Sequence, residues 1–242
     1  MKRLCAMTAV VLGLGMTSAA AADLAARPVY TKAPPVAPIY DWSGFYIGGH
    51  IGYGWADPNI MLPGGASIIN HPQPNGFLGG GQVGMNWQRG PWVFGVEADA
   101  SWGDLDETRI CTQIPTGLTL SCRGAPKYFG TLDGRLGYAI DRTLLYVKGG
   151  AAWSHEDFTQ IGITVPTCIG TPCTGSAVQW GWNVGAGIEY GLTSNWSAKL
   201  QYDFLDFDHA DMVTVTNGVS ANVFQITKTI QTIQLGVNYR FH

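Results

Sequence analysis

The segment Gln231–Phe241 alternates strictly between apolar and polar side chains, and this pattern limits the possible folds more than any other feature of the chain. The apolar residues occupy every second position: Ile233, Leu235, Val237, Tyr239 and Phe241. Successive side chains of a β-strand point to opposite faces, so a period of two is typical of a strand. The segment is therefore predicted to be a strand with one apolar and one polar face.

Seven further segments alternate in the same way. They lie at about residues 45–55, 77–87, 92–102, 128–138, 145–154, 178–190 and 196–204. Short and long connections separate them in turn, and the long ones cover residues 57–76, 103–126, 157–176 and 206–224. Strands of about 10 residues cross a bilayer at a tilt, and an open sheet edge cannot lie in lipid. The sequence thus predicts an all-β fold, an eight-stranded antiparallel up-and-down transmembrane β-barrel.

Aromatic residues mark both ends of the apolar strand faces. Near the short turns these are Phe45, Trp87, Trp92, Tyr138, Tyr190, Trp196, Tyr239 and Phe241. Near the long loops they are Trp55, Phe77, Trp102, Tyr128, Trp153, Trp180 and Phe204. Trp and Tyr concentrate at both membrane–water interfaces. A soluble eight-stranded barrel would keep apolar residues inside and would have no reason for two aromatic belts, so the pattern favours a membrane barrel.

Charged residues on the polar faces are predicted to meet near the middle of the barrel. Counting from the turns places Glu97 opposite Asp133, and Arg135 opposite Lys148. An unpaired charge there would be costly, which favours a salt-bridged interior network. The alternative is a charged ring that lines a narrow pore. Eight strands leave an interior just wide enough for side chains, so a closed interior is the preferred interpretation.

The N-terminal residues have the composition of an export signal. Residues 1–22 combine the basic Lys2 and Arg3, a short apolar stretch and Ala20–Ala22, and are predicted to be a cleaved signal peptide. A transmembrane anchor would need about 20 apolar residues. Residues 23–40 are proline-rich and are expected to form an extended periplasmic leader. The barrel domain is assigned to residues 41–242.

Four cysteines follow the signal peptide, as two close pairs within two of the long loops. They are Cys111 and Cys122, and Cys168 and Cys173. An exported protein meets an oxidising periplasm, so two local disulfides are expected. A zinc site of four cysteines is the alternative, but the spacings fit it poorly. Neither a metal nor a cofactor is predicted.

The sequence offers little for catalysis. Ser154-His155-Glu156 contains suitable residue types, but neighbouring strand residues face opposite sides, so Ser154 and His155 cannot pair directly. No catalytic residues are assigned, although a lipid-modifying enzyme remains an alternative. His155 and His209 remain candidate haem or metal ligands at the outer surface. The formal net charge is −3, and nothing indicates a nucleic-acid partner.

Two motifs carry a resemblance to a known family. The run from Tyr40 to Gly54, which follows the proline-rich leader, and the ending Gly236–Phe241 resemble the small immunogenic, porin-like outer-membrane proteins of alphaproteobacteria. The terminal aromatic also resembles the insertion signal of outer-membrane barrels, although His242 follows it.

The resemblance implies an OmpA-type barrel with short periplasmic turns and four long extracellular loops. It also implies a location in the cell outer membrane and a contribution to envelope integrity. Outer-membrane lipid, lipopolysaccharide and, during insertion, the barrel assembly machinery are the expected partners, and the oligomeric state is open. Some relatives are described as porins or haem-binding proteins, so a narrow porin for small solutes or a haem-binding surface protein are the alternative functions.

Overall fold

A computed structural model of the chain describes residues 40–61, 67–69, 73–103, 105, 107–114, 117–162, 173–216 and 219–241. Within these ranges the regular structure is β-strand. The strands are β1 (Gly44–Met61), β2 (Ser67–Ile69), β3 (Asn75–Arg89), β4 (Trp92–Gly103), β5 (Glu107–Ile114), β6 (Leu118–Ile140), β7 (Thr143–Gly162), β8 (Cys173–Gly191), β9 (Trp196–Thr216) and β10 (Val219–Phe241). The described residues contain no helix that is long and apolar enough to cross a bilayer.

Eight of these strands form a closed antiparallel barrel, which confirms the predicted fold class. The order is β1, β3, β4, β6, β7, β8, β9 and β10, each paired with the next in space. The first and last strands close the wall, with Phe45 opposite Phe241 and Ile51 opposite Leu235. The short strands β2 and β5 extend the sheet beyond the barrel at the loop end, where β5 pairs with β6. The barrel ends are called the turn end and the loop end below.

The wall places apolar side chains outside and polar side chains inside. On β4, Trp92, Phe94 and Val96 are about half exposed, whereas Glu97 and Asp99 are buried. This is the reverse of a soluble barrel. It is stable only if the outer face meets lipid, because water would leave a continuous apolar band unburied.

Aromatic rings contact one another in both belts. At the turn end, Phe45 and Phe241 lie 5.8 Å apart, and Trp92 and Tyr138 meet edge to face at 5.2 Å between ring centres. At the loop end, Tyr53 and Phe77 meet edge to face at 5.5 Å, and Trp153 and Trp180 lie 6.3 Å apart. These contacts join neighbouring strands at the two levels where the membrane interfaces are expected.

The strands extend further than predicted at the loop end. Barrel strands contain 12 to 23 residues, so the segments interpreted as four long loops are to a large extent β-structure. β9 runs to Thr216 and β10 starts at Val219, inside the predicted loop 206–224. Likewise β5 and the first part of β6 lie inside the predicted loop 103–126. Backbone hydrogen bonds continue the ladder beyond the bilayer, where side chains no longer need to be apolar on one face.

The start of the first barrel strand agrees with the prediction, because β1 begins at Gly44 and the alternation placed this strand at about residues 45–55. Tyr40, assigned to the extended leader, is buried at the turn end of the barrel. The predicted signal peptide and residues 23–39 of the leader lie outside the described residues. The ladder between β8 and β9 is interrupted between Thr174 and Gly181.

Candidate functional site

The barrel interior is built in layers, which can be followed along β7 from the turn end. Leu144 and Tyr146 come first, then Lys148, then Ala152, and finally Ser154 and Glu156, all buried. Buried side chains of the other strands lie at the same levels and pack against these residues. Two apolar clusters thus lie on either side of a charged network, and a further polar group lies at the loop end.

The four residues predicted to form an interior network lie together. Glu97 is opposite Asp133 across β4 and β6, and Arg135 is opposite Lys148 across β6 and β7. The Lys148 ammonium lies 2.9 Å from Asp133 Oδ2 and 3.2 Å from Glu97 Oε1. Arg135 Nη1 is 3.8 Å from Glu97 Oε2. These side chains are almost fully buried, so little solvent screens their attraction.

Side chains from several strands contact the Arg135 guanidinium. Its Nη2 contacts Glu189 on β8, and its Nη1 donates to the Tyr46 hydroxyl at 3.2 Å. Tyr46 in turn donates to Glu97 Oε2 at 2.7 Å. The guanidinium carbon lies 3.6 Å from the centre of the Tyr146 ring, a cation–π contact. A guanidinium offers several donors in one plane, which suits it to join carboxylates from different strands.

Further charged residues, which were not among the four predicted ones, belong to the same network. Lys199 Nζ lies 3.7 Å from Glu97 Oε1, and Asp203 Oδ1 lies 3.6 Å from Lys148 Nζ. Arg240 Nη2 lies 3.5 Å from Glu189 Oε1 at the turn end. All of them stand on the polar faces of predicted strands, so a count of strand register across the whole barrel would have found them. The charged network consists of Glu97, Asp133, Arg135, Lys148, Glu189, Lys199, Asp203 and Arg240.

A chain of polar side chains joins His50 to this network. The His50 ring nitrogens lie 2.8 Å from Gln82 Oε1 and 2.9 Å from Ser101 Oγ. Gln82 donates to Asn238 Oδ1 at 2.7 Å, and Asn238 donates to Glu189 at 3.0 Å. Contacts of this kind connect β1, β3, β8 and β10 through the lumen.

Aromatic and aliphatic side chains form the turn-end cluster, which consists of Tyr40, Trp42, Val93, Leu144 and Tyr146. Trp42 precedes the first strand and is fully buried. Its backbone N–H donates to Gln88 Oε1 at 2.7 Å, and the Arg240 guanidinium lies 4.8 Å from its ring centre. Arg240 also donates to the Tyr40 hydroxyl at 3.2 Å. Burial raises the pKa of the Tyr40 phenol above its ordinary value, and the nearby Arg240 opposes that rise.

The loop-end cluster is the second apolar layer. It contains Ala56, Leu78, Leu105, Phe129, Ala152, Leu205, Phe207 and Ile230. Beyond it, the Lys228 ammonium donates to Glu156 Oε2 at 2.7 Å and to Ser154 Oγ at 2.9 Å. Lys228 lies just outside the predicted strand 231–241, so the alternation of apolar and polar residues did not indicate this buried group.

The structure separates the residues that suggested catalysis. Ser154 is buried inside the barrel, where it accepts a hydrogen bond from Lys228. The His155 ring is on the other face of β7, where it stacks on Tyr128 at 5.1 Å between ring centres. His155 Nε2 lies 3.5 Å from Asp157. Of the described residues, no group of three or more His, Cys, Asp or Glu side chains is arranged to hold a metal ion.

The cysteine predictions fall partly outside the described residues. Cys111 is disulfide-bonded and its side chain is buried on β5. Cys122 lies on the facing strand, opposite Arg109 and two positions from the partner of Cys111. The side chains of Cys122 and Cys173 and the whole of Cys168 are outside the described part of the chain.

Comparison with known proteins identifies related chains over almost the full length. A 31 kDa outer-membrane immunogenic protein of Brucella melitensis is 29% identical, covering 96% of this chain and 98% of the relative. A 25 kDa outer-membrane immunogenic protein of Brucella canis is 25% identical, covering 100% and 99%. The relatives are outer-membrane proteins, and this chain is likewise a protein of the cell outer membrane.

A solved structure has the same fold. The outer membrane protein OprG from Pseudomonas aeruginosa matches with a TM-score of 0.51 at 12% identity, covering 82% of this chain and 97% of that one. A family model described as outer membrane protein beta-barrel domain matches residues 8–241. Because that match spans nearly the whole sequence, the chain belongs to the outer membrane protein beta-barrel domain family.

Proposed function

We propose that this protein is a structural barrel of the outer membrane, with a closed interior, that contributes to envelope integrity and presents its loop-end strands to the outside. The observation that most directly supports this proposal is the charged network, which lies between the turn-end cluster and the loop-end cluster. The proposal includes no enzymatic activity.

The layering supports a closed interior for a physical reason. An ion that crossed the barrel would have to separate Lys148 from Asp133 and Glu97, or Arg135 from Glu189, in a nearly solvent-free space. It would also have to pass two apolar layers, and hydrophobic constrictions block ions by excluding water. An eight-stranded barrel has little other space in its lumen.

The strand extensions support presentation at the surface. β9 and β10 continue well beyond the loop-end belt, and β5 adds a further strand that contains the disulfide-bonded Cys111. Ordered β-structure outside the membrane offers a fixed surface to antibodies or partners. The Brucella relatives are named immunogenic, which agrees with such exposure.

A conductance measurement tests the closed interior. We expect no channel activity from the disulfide-intact protein in a planar bilayer when heat-modifiable gel mobility shows that it is folded. A porin refolded into the same lipid serves as the insertion control. Reproducible steps of uniform size from the wild-type chain would overturn the closed interior and establish a narrow pore. Loss of those steps in Glu97→Leu would place the path through the charged network.

A genetic experiment tests the envelope role separately. Deletion of the gene in the source organism is expected to increase sensitivity to bile salts and to large hydrophobic antibiotics. A plasmid that encodes the wild-type chain should restore resistance. Unchanged sensitivity in the deletion strain would contradict the proposed contribution to envelope integrity, whatever the conductance result.

A further inference from the structure

The outer surface of the barrel has two concave regions along the line where β1 meets β10. The first is an apolar groove of about 600 Å³. Its sides include the exposed side chains of Ile51, Leu235 and Val237, and its floor includes Gly49 and Ala198. The rest of its lining comes from His50, Gly80, Lys199 and Gly236 in the strand wall, where the side chains of His50 and Lys199 are buried. A Cβ atom added at Gly49 would meet no atom closer than 3.6 Å, so the missing side chain leaves room on the lipid-facing surface.

The second region is a polar pocket of about 350 Å³ nearer the loop end. The residues that line it are Tyr53, Trp55, Ala56, Asp57, Gln73, Asn75 and Gln231. Gln73 Nε2 donates to Asp57 Oδ1 at 3.4 Å, so one carboxylate oxygen is engaged within the pocket. Tyr53 donates to Asn75 Oδ1 at 2.6 Å, and Tyr202 donates to Gln231 Oε1 at 2.7 Å. With that oxygen engaged, the nitrogen end of the Gln231 amide remains to donate to a ligand.

The groove and the pocket lie on one face and follow each other along the same pair of strands. Gly49 pairs with Val237, Ile51 with Leu235, and Trp55 with Gln231. Gly49 and Trp55 are separated by about 20 Å along an extended strand, which is about 15 Å along the membrane normal at a tilt of about 40°. This equals half of the roughly 30 Å hydrocarbon core. The groove therefore lies near the bilayer centre and the pocket lies at the interface.

We propose that this two-part surface on β1 and β10 binds a glycolipid of the outer leaflet, with an acyl chain in the groove and a saccharide unit in the pocket. An indole ring offers a flat apolar surface to the C–H face of a pyranose. Carboxylate and amide groups beside it match the donors and acceptors of sugar hydroxyls. The distance between the two regions fits a molecule whose chain reaches from the interface to the middle of the bilayer.

The chemistry of the pocket favours a saccharide over a phosphate headgroup. Of the described residues that line it, none is lysine or arginine, and Asp57 adds a carboxylate. A phosphate would meet repulsion there and no cation, whereas hydroxyl groups can donate to the carboxylate. This inference does not depend on whether the barrel conducts ions.

Native mass spectrometry of the full chain, released from amine-oxide micelles, tests the site. Dodecyl glucoside is the probe, dodecylphosphocholine has the same chain with a phosphate headgroup, and methyl glucoside has the sugar without a chain. We expect dodecyl glucoside to bind at least tenfold more tightly than either. Trp55→Ala with Asp57→Asn should weaken it at least tenfold, and Gly49→Leu should weaken it by filling the groove.

Trp102→Ala is the matched control, because Trp102 belongs to the same loop-end belt but lies on β4. It should bind the probe like the wild type, and gel mobility verifies that each variant is folded. Equal binding of dodecylphosphocholine would overturn the saccharide assignment. Equal binding of methyl glucoside would overturn the groove and leave a site for soluble sugars. If Trp55→Ala with Asp57→Asn binds like Trp102→Ala, the whole site is refuted.

Discussion

Replacing Lys148 with methionine is expected to lower the free energy of unfolding by about 3–5 kcal/mol, the usual cost of removing one partner from a buried ion pair. Lys148 lies within 3.6 Å of carboxylate oxygens of Asp133, Glu97 and Asp203. Methionine keeps most of the length of the side chain, so the loss comes from the charge. Urea titration of the barrel in phosphatidylcholine vesicles, followed by tryptophan fluorescence and gel mobility, measures it.

Two further variants test whether the lost charge causes the loss of stability in Lys148→Met. Lys148→Met combined with Asp133→Asn removes one charge of each sign and should recover about 2 kcal/mol of the loss, a coupling typical of residues in direct contact. Lys127→Met breaks an ion pair with Asp157 whose side chains are 59% and 36% exposed, so it should cost at most about 1 kcal/mol. Similar losses in Lys148→Met and Lys127→Met would show that the interior charges do not stabilise the barrel.

Trp42→Ala is expected to cost about 3–5 kcal/mol, as do other large-to-small changes in well-packed interiors. The ring is fully buried in the turn-end cluster and lies beneath the Arg240 guanidinium. Its removal leaves a cavity and removes the aromatic partner of a buried cation. Trp42→Phe keeps an aromatic face and should lose only about 1–2 kcal/mol. The same urea titration measures both variants.

Trp87→Ala is the control for this variant. Trp87 lies at the same end of the barrel, but its ring is 48% exposed on the outer surface. It should therefore lose clearly less stability than Trp42→Ala. If the two losses were equal, the contribution of Trp42 would be a general effect of tryptophan at the interface rather than interior packing.

The membrane-spanning part of the barrel was predictable from the sequence because lipid imposes a period of two on every strand. The apolar face must meet acyl chains and the polar face must meet the lumen, so Val96, Glu97 and Ala98 already indicate which side each faces. Counting from the tight turns then brought Glu97 to Asp133 and Arg135 to Lys148. Turns fix register, and register fixes which side chains can meet.

Other features of the structure could not be predicted from this period of two. Beyond the bilayer no lipid imposes a period of two on a strand, so the alternation of apolar and polar residues does not indicate the extension of β9 to Thr216. The pair between Lys228 and Glu156 was missed for the same reason. Trp42 precedes the first strand, where no period applies, and only tertiary packing brings it into the lumen. The groove and pocket on β1 and β10 depend on the register in which these two distant strands pair, and no short turn joins them to fix that register.

The closure of β1 on β10 also determines when the barrel can form during the lifetime of the chain. Tyr40 and Arg240, which contact each other at the turn end, are 200 positions apart. Closure must therefore wait until nearly the whole chain has been exported, and a pairing between strands so distant in sequence forms more slowly than the pairings between consecutive strands. Until then two strand edges stay unpaired, and unpaired edges recruit other chains. The interval between export and closure is thus the stage at which this protein is most prone to aggregation.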